Sequence, residues 1–146
     1  MRRSDYGNSI EREELAWAAG LFDGEGTTYF HERNKCPILS LCQAGDYALE
    51  ILDRFGAALA VYHDIRLNRV LPSGKLNYQL HIVSYDRVNY ALDLLWPWLS
   101  TQKKIQAKEC LAKCPIPDRP FKARLDRIGP HPLDDSSRII KKTVSG

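Results

Sequence analysis

Two carboxylates stand where a helix should not carry them. In LAWAAGLFDGEGTTYF, Leu15 to Phe30, Asp23 and Glu25 close a helical pattern and each precedes a glycine. A helix C-terminus carries partial negative charge from its unpaired carbonyls and favours Lys, Arg or His. Acids at that end break a local rule, and broken rules tend to mark function. A second set of polar residues recurs at alternate positions in segments that read as strands: Tyr29, His31 and Arg33; Ser40; Arg66 and Asn68; Asn77, Gln79 and His81. Arg, Gln, Asn, Tyr and His are the side chains that read base edges in a DNA major groove. The competing reading is a merely solvated face, the common fate of an antiparallel sheet. Four thiols, Cys36, Cys42, Cys110 and Cys114, lack a tight CxxC spacing. They read as small buried hydrophobes rather than as a zinc site or disulfides.

The elements that must position these residues follow from periodicity and punctuation. Helix one is expected from Glu11 to Asp23, capped by Ser9 or Asn8 and ended by Gly24 or Gly26. TTYFHER then reads as a strand, Asn34 to Pro37 as a turn and ILSLCQ as its partner. DYALEILDRFG is a second amphipathic helix with Asp46 as cap and Gly56 as stop. AVYHDIRLN and KLNYQLHIVS form a second hairpin around LPSGK. Asp86 caps a third helix that must end before Pro97, and Lys103 to Lys113 forms the last. Helix, hairpin, helix, hairpin, helix, helix describes an α+β domain with a four-stranded antiparallel sheet. By parity one sheet face is apolar and takes the helices, with Leu39, Leu41, Val61, Ile65, Leu67, Tyr78, Leu80 and Ile82. Gln43 shares that parity, and a buried amide needs a partner.

At 146 residues the chain is expected to form one domain, residues 1 to 114, followed by a proline-rich basic tail over 115 to 146. Seven of the 21 basic residues and four of the 18 acids lie in the tail, which leaves 14 of each before it. The globular part is therefore neutral, and bulk charge gives no argument for nucleic acid. Within the tail, FKARLDRI has the composition of a short basic helix that would add phosphate contacts, while the proline content favours disorder. No apolar run is long enough to span a membrane, and the polar start has no signal-peptide core. An intracellular protein, in cytoplasm, nucleoid or organelle, is expected, with no membrane partner.

AAGLFDGEG, Ala18 to Gly26, closely resembles the defining motif of the LAGLIDADG homing endonucleases, and the element order is similar to one αββαββα unit of that family. The similarity runs over roughly Leu15 to Lys113, through Gln43 ahead of an acid-led helix ending in FG, and through LLWPWLSTQKKIQA. The resemblance implies a saddle-shaped sheet with helices on one face and a site-specific double-strand DNA endonuclease that hydrolyses phosphodiester bonds with a divalent metal. It makes Glu25 the metal-binding and catalytic acid, Gln43 an organiser of solvent, and Lys103 the active-site base residue, with Lys104 in reserve. Mg²⁺ is the implied cofactor, and Mn²⁺ or Ca²⁺ would also suit the same hard oxygen ligands. One motif per chain implies a homodimer on a roughly palindromic target. Ala16, Ala19 and Gly20 would allow close helix approach, and Asp23 would cap or hydrogen-bond across the pair. Tyr29, His31, Arg33, Ser40, Arg66, Asn68, Asn77, Gln79 and His81 would contact DNA. A non-cleaving DNA-binding regulator, or a maturase that stabilises a folded intron RNA, is the alternative on the same fold.

Overall fold

The computed structural model describes residues 8–116, with side chains from Arg12 onward. The expected basic helix FKARLDRI, and all but the first residues of the tail, lie outside the described residues. The order is α1 (Asn8–Glu25), β1 (Gly26–His31), β2 (Cys36–Ala44), α2 (Ala48–Leu59), β3 (Asp64–Val70), β4 (Leu76–Val83), α3 (Tyr85–Leu95), a 3-10 turn (Trp96–Trp98) and α4 (Thr101–Ala112). The strands form one antiparallel sheet in the order β1-β2-β4-β3, so the two hairpins meet through their second strands. Leu39, Leu41, Leu80 and Ile82 from the central strands are fully buried beneath Phe22 of α1, Leu52, Phe55 and Leu59 of α2, and Val88, Leu92 and Leu95 of α3. Among the described residues no helix is long and apolar enough to cross a membrane.

Several expected boundaries move, each for a local reason. The first helix starts at Asn8 and runs on through Gly24 to Glu25, so Asn8 and Ser9 lie inside it rather than capping it. It gives way to β1 at Gly26, where a Cβ would overlap the Phe22 ring. Gly56 does not stop α2. A Cβ there would overlap the His63 ring, so glycine serves close packing, and the chain turns only at Ala60, which is left-handed with φ 55°. Asp46 does not cap α2 either: Tyr47 occupies that position without a side-chain bond, and the Ala48 amide donates to the Gly45 carbonyl. The α3 cap is Ser84, which accepts from the Arg87 amide, while Asp86 is buried in the first turn. On α4 the cap is Ser100, accepting from the Lys103 amide, so the helix begins before Lys103. The first strand ends at His31 instead of reaching Arg33, the turn spans 32–35, and the third strand begins only at Asp64.

α4 lies against the edge strand β1. There the Gln106 carbonyl oxygen accepts from the Thr28 amide at 3.2 Å, satisfying a backbone donor that an edge strand would otherwise leave open. α1 and α2 are joined at their outer surface by Arg54, which is bidentate to Glu14 at 3.0 and 2.7 Å and stacks 3.8 Å over Trp17. That guanidinium holds the Glu14 carboxyl below its ordinary range. Burial raises the Cys110 thiol to about 11, and all four cysteines are free.

Candidate active site and sheet face

The α1–β1 junction is held by the start of α4. Asp23 accepts from the Ser100 amide at 2.9 Å, directly at the cap of α4. Lys103 donates from Nζ to the Gly26 carbonyl and stands 5.8 Å over the Phe22 ring, which itself stacks on Phe55 at 6.5 Å. Lys104 points elsewhere, over Trp96 at 5.6 Å. Of the adjacent lysines, then, only Lys103 brings its ammonium to the residue after Glu25. The two acids also part company: Asp23 is engaged within the chain, whereas Glu25 is exposed and, among the described residues, makes no hydrogen bond or ion pair. A carboxylate at a helix C-terminus, facing water, is mildly unfavourable, and a bound cation would offset that cost.

No group of three or more His, Cys, Asp or Glu residues able to hold a metal occurs among the described residues. One chain thus offers a single open carboxylate at this point. That donor fits a hard divalent ion only as part of a larger ligand set.

The sheet face turned away from the helices presents most of the expected polar residues, and four expected placements, three of them on this face, are corrected. Ser40 is buried, at 3% exposure, and its hydroxyl accepts from Gln79 Nε2 at 2.8 Å, so it positions Gln79 rather than facing outward. Arg33 sits in the exposed turn beyond β1, off the strand face, because β1 ends two residues earlier. A register shift between Leu67 and Arg69 makes Asn68 the extra residue of a bulge and sets Arg69 opposite Asn77. Arg69 therefore joins the polar face that simple alternation assigns to Asn68. The fourth concerns α1: Ala19 is fully buried in the chain's own core and is closed to a second chain, whereas Ala16 is half-buried and Gly20 exposed.

Arg69 was missed because strict alternation places it with Leu67 on the core side. The visible signal is the broken pattern IRLNRV, where two polar residues follow each other before Val70. Cys42 belongs to the same neighbourhood: it stands opposite Gln79, its thiol feels the Asn77 and Gln79 amides, and it lies within electrostatic reach of Glu25 and Arg69. Burial raises its thiol pKa, and the neighbouring amides partly oppose that rise. Further along, Arg66 pairs with Asp64 at 3.3 Å. His81 stands opposite both Ser40 and Asp64, with Nε2 buried and, among the described residues, without a hydrogen-bond partner. Burial first, and Arg66 second, depress its pKa, with Asp64 opposing. His31 Nδ1 accepts from the Asn34 amide at 3.2 Å and so orders the turn. Tyr29 is 38% exposed, and partial burial raises its phenol. Gln43 stands opposite Tyr78 on the helix-covered side, half-buried at the end of β2, with no hydrogen bond to Glu25 or Lys103.

No family model and no curated protein sequence matches this chain. Solved structures do. The homing endonuclease I-CvuI in complex with the I-CreI target, crystallised with Mg and with its DNA not cleaved, superposes with a TM-score of 0.56 at 22% identity, covering 72% of this chain and 68% of that one. The same enzyme in complex with its own target, Sro1.3, in the presence of Ca gives a TM-score of 0.52 at 21% identity over the same shares. The shared architecture is the α+β unit described above, with four antiparallel strands in one sheet and the helices on one side of it. This chain has the fold of the LAGLIDADG homing endonucleases.

Proposed function

We propose that the chain is one subunit of a homodimeric, divalent-metal-dependent, site-specific double-strand DNA endonuclease of the homing type. The observation that carries this reading is the α1–β1 junction: Glu25 is exposed and, among the described residues, unpaired, and the Lys103 ammonium lies on the very next carbonyl, that of Gly26. Both stand at the end of a sheet face rich in Arg, Asn and Gln. The similar solved structures are DNA complexes of a homing endonuclease, and their crystals contained Mg or Ca, which agrees with the donor chemistry.

Glu25 from each subunit would hold Mg²⁺, and Mn²⁺ or Ca²⁺ would occupy the same oxygen ligands. The bound ion would supply Lewis-acid stabilisation of the phosphate and a water acidic enough to attack it. Lys103 is fixed by one of its three donor protons on Gly26, which leaves two for a phosphate oxygen or the attacking water. Gln43, half-buried at the end of β2, would organise solvent beneath that point. Asp23 keeps α4 in place through Ser100 and so positions Lys103. In this reading its part in the dimer is indirect.

Homodimerisation is supported by the exposed face of α1. A Cβ at Gly20 or at Gly24 would meet nothing within 4 Å, so nothing among the described residues requires glycine at either place. Together with Ala16 these positions, four residues apart, form a stripe that admits a second helix backbone closely. The two-fold axis would then present both sheets to a roughly palindromic duplex, with Tyr29, His31, Arg66, Arg69, Asn77 and Gln79 reaching the major groove. Arg33 and Asn68 would touch DNA only from the turn and the bulge.

Cleavage of a randomised-site DNA library by wild type and Glu25→Gln, with Mg²⁺ and with EDTA, tests the proposal when the new ends are sequenced. A single palindromic site with uniform ends, dependent on both metal and Glu25, is the expected result. Enrichment of a site without breakage would move the function to a binding regulator or maturase. A Glu25→Gln variant that cuts at the wild-type rate would overturn the assigned chemistry.

A further inference from the structure

The open sheet face is not uniformly polar. Tyr29 pairs with Ile38, and Ile38 with Val83, so the Tyr29 ring and two aliphatic side chains stand side by side across β1, β2 and β4 on the face that also carries Ser40, Gln79 and His81. Tyr29 and Val83 are each 38% exposed, and Ile38, between them, is 6% exposed. The row is one residue deep. Towards the Glu25 end it is bordered by the Ser40–His81 pair and then by Cys42, Gln79 and Arg66, and on its other side by His31 and Cys36.

Resting on the DNA-binding reading above, we infer that this row makes apolar contact with the C5-methyl group of thymine in the major groove, so that each half of the target carries a thymine read by its methyl. The methyl is the apolar feature that the major groove offers among its donors and acceptors. A narrow apolar strip between hydrogen-bonding residues matches a base-pair step in which one edge is apolar and its neighbours are polar. A broad apolar partner fits poorly, because covering the strip would also cover the His81 imidazole beside it, whose Nε2 has no hydrogen-bond partner among the described residues. The polar residues nearer Glu25 would read hydrogen bonds closer to the cut, and the apolar row would read thymine further out.

The test starts from a duplex selected by the wild-type protein from a randomised library, with each thymine replaced in turn by deoxyuridine. That change removes one methyl group and leaves pairing intact. Binding by gel shift is expected to weaken about fourfold at one or two positions per half-site, the effect of losing one buried methyl. In Val83→Ser or Tyr29→Ala the difference between thymine and deoxyuridine should vanish at those positions while the remaining preferences persist. If no deoxyuridine substitution matters, or if the selected half-sites lack thymine, the row has no such role although the DNA-binding reading stands. A methyl effect that survives both variants overturns the assignment to this row. Failure of the library to yield any bound duplex overturns the DNA-binding reading itself, and this inference with it.

Discussion

The two faces of the same sheet obey different rules. On the helix-covered side Leu39, Leu41, Leu80 and Ile82 are fully buried within the apolar cluster. On the open side the neighbouring residues of the same strands form a graded surface, with Arg69, Asn77 and Gln79 towards Glu25 and the Tyr29–Ile38–Val83 row further out. Shape complementarity settles the first face, and alternation alone was enough to read it. Chemistry settles the second, where single residues are repositioned by a bulge, a hydrogen bond or the end of a strand. Residues one position apart on the same strand thus serve stability on one face and recognition on the other, and are constrained by different physics.

Removing mass from the covered face should have the largest effect. Leu80→Ala is expected to cost about 2–5 kcal/mol, a large part of the ~5–15 kcal/mol by which domains are stable, and a urea melt would reveal it. Were the loss under 0.5 kcal/mol, the contrast between the faces would collapse. Next comes Lys103→Met, which keeps the aliphatic stem over Phe22 and removes the ammonium. Cleavage should fall by about a hundredfold or more, the usual cost of deleting one charge-stabilising donor, with an unchanged circular dichroism spectrum. Lys104→Met, whose ammonium lies on Trp96, should leave the rate near wild type, and the reverse pattern would exchange their roles.

Arg69→Gln sharpens the reading of the open face. Fluorescence polarisation across a salt series should give weaker DNA binding, with the slope of log K against log salt shallower by about one if Arg69 meets a phosphate. An unchanged slope together with lost base preference would make it a base reader instead, and no change of either kind would deny it a place on the face. The smallest effect concerns His81. Its pKa is depressed in the folded chain, chiefly by burial, so the folded state favours the neutral ring. Above about pH 6.5, the ordinary histidine value, neither state binds the proton and the penalty is absent. As pH falls through that value the unfolded chain takes up the proton first, and stability declines until the folded pKa is also passed. Thermal melts from pH 8 to pH 5 should show this decline, and His81→Gln should flatten part of it. A wild-type profile that rises on acidification would contradict the sign.

Much of this molecule is legible in its sequence. The alternation of apolar residues in ILSLCQ and NYQLHIV, the proline ending α3 and the acids beside glycine at the end of α1 specify the order of elements, the covered face and the junction that bears Glu25. These are local signals, because a strand's period and a helix's end depend on neighbouring residues. The family resemblance implied Glu25 from the motif and, separately, Lys103 from the last helix; that the Lys103 ammonium lies on the Gly26 carbonyl, 77 positions away, is something no local pattern can bridge. Tertiary structure alone decided the rest. Gly56 looked like a stop and is instead the seat of His63. Ser40 looked like a base reader and is instead the partner of Gln79. Ala19 looked available to a second helix and is instead core. Arg69 reached the open face because β3 carries one residue more than its partner requires. In each case the residue type limits what the position can do, and the contact that selects one use comes from another strand or helix, set by packing across the sheet.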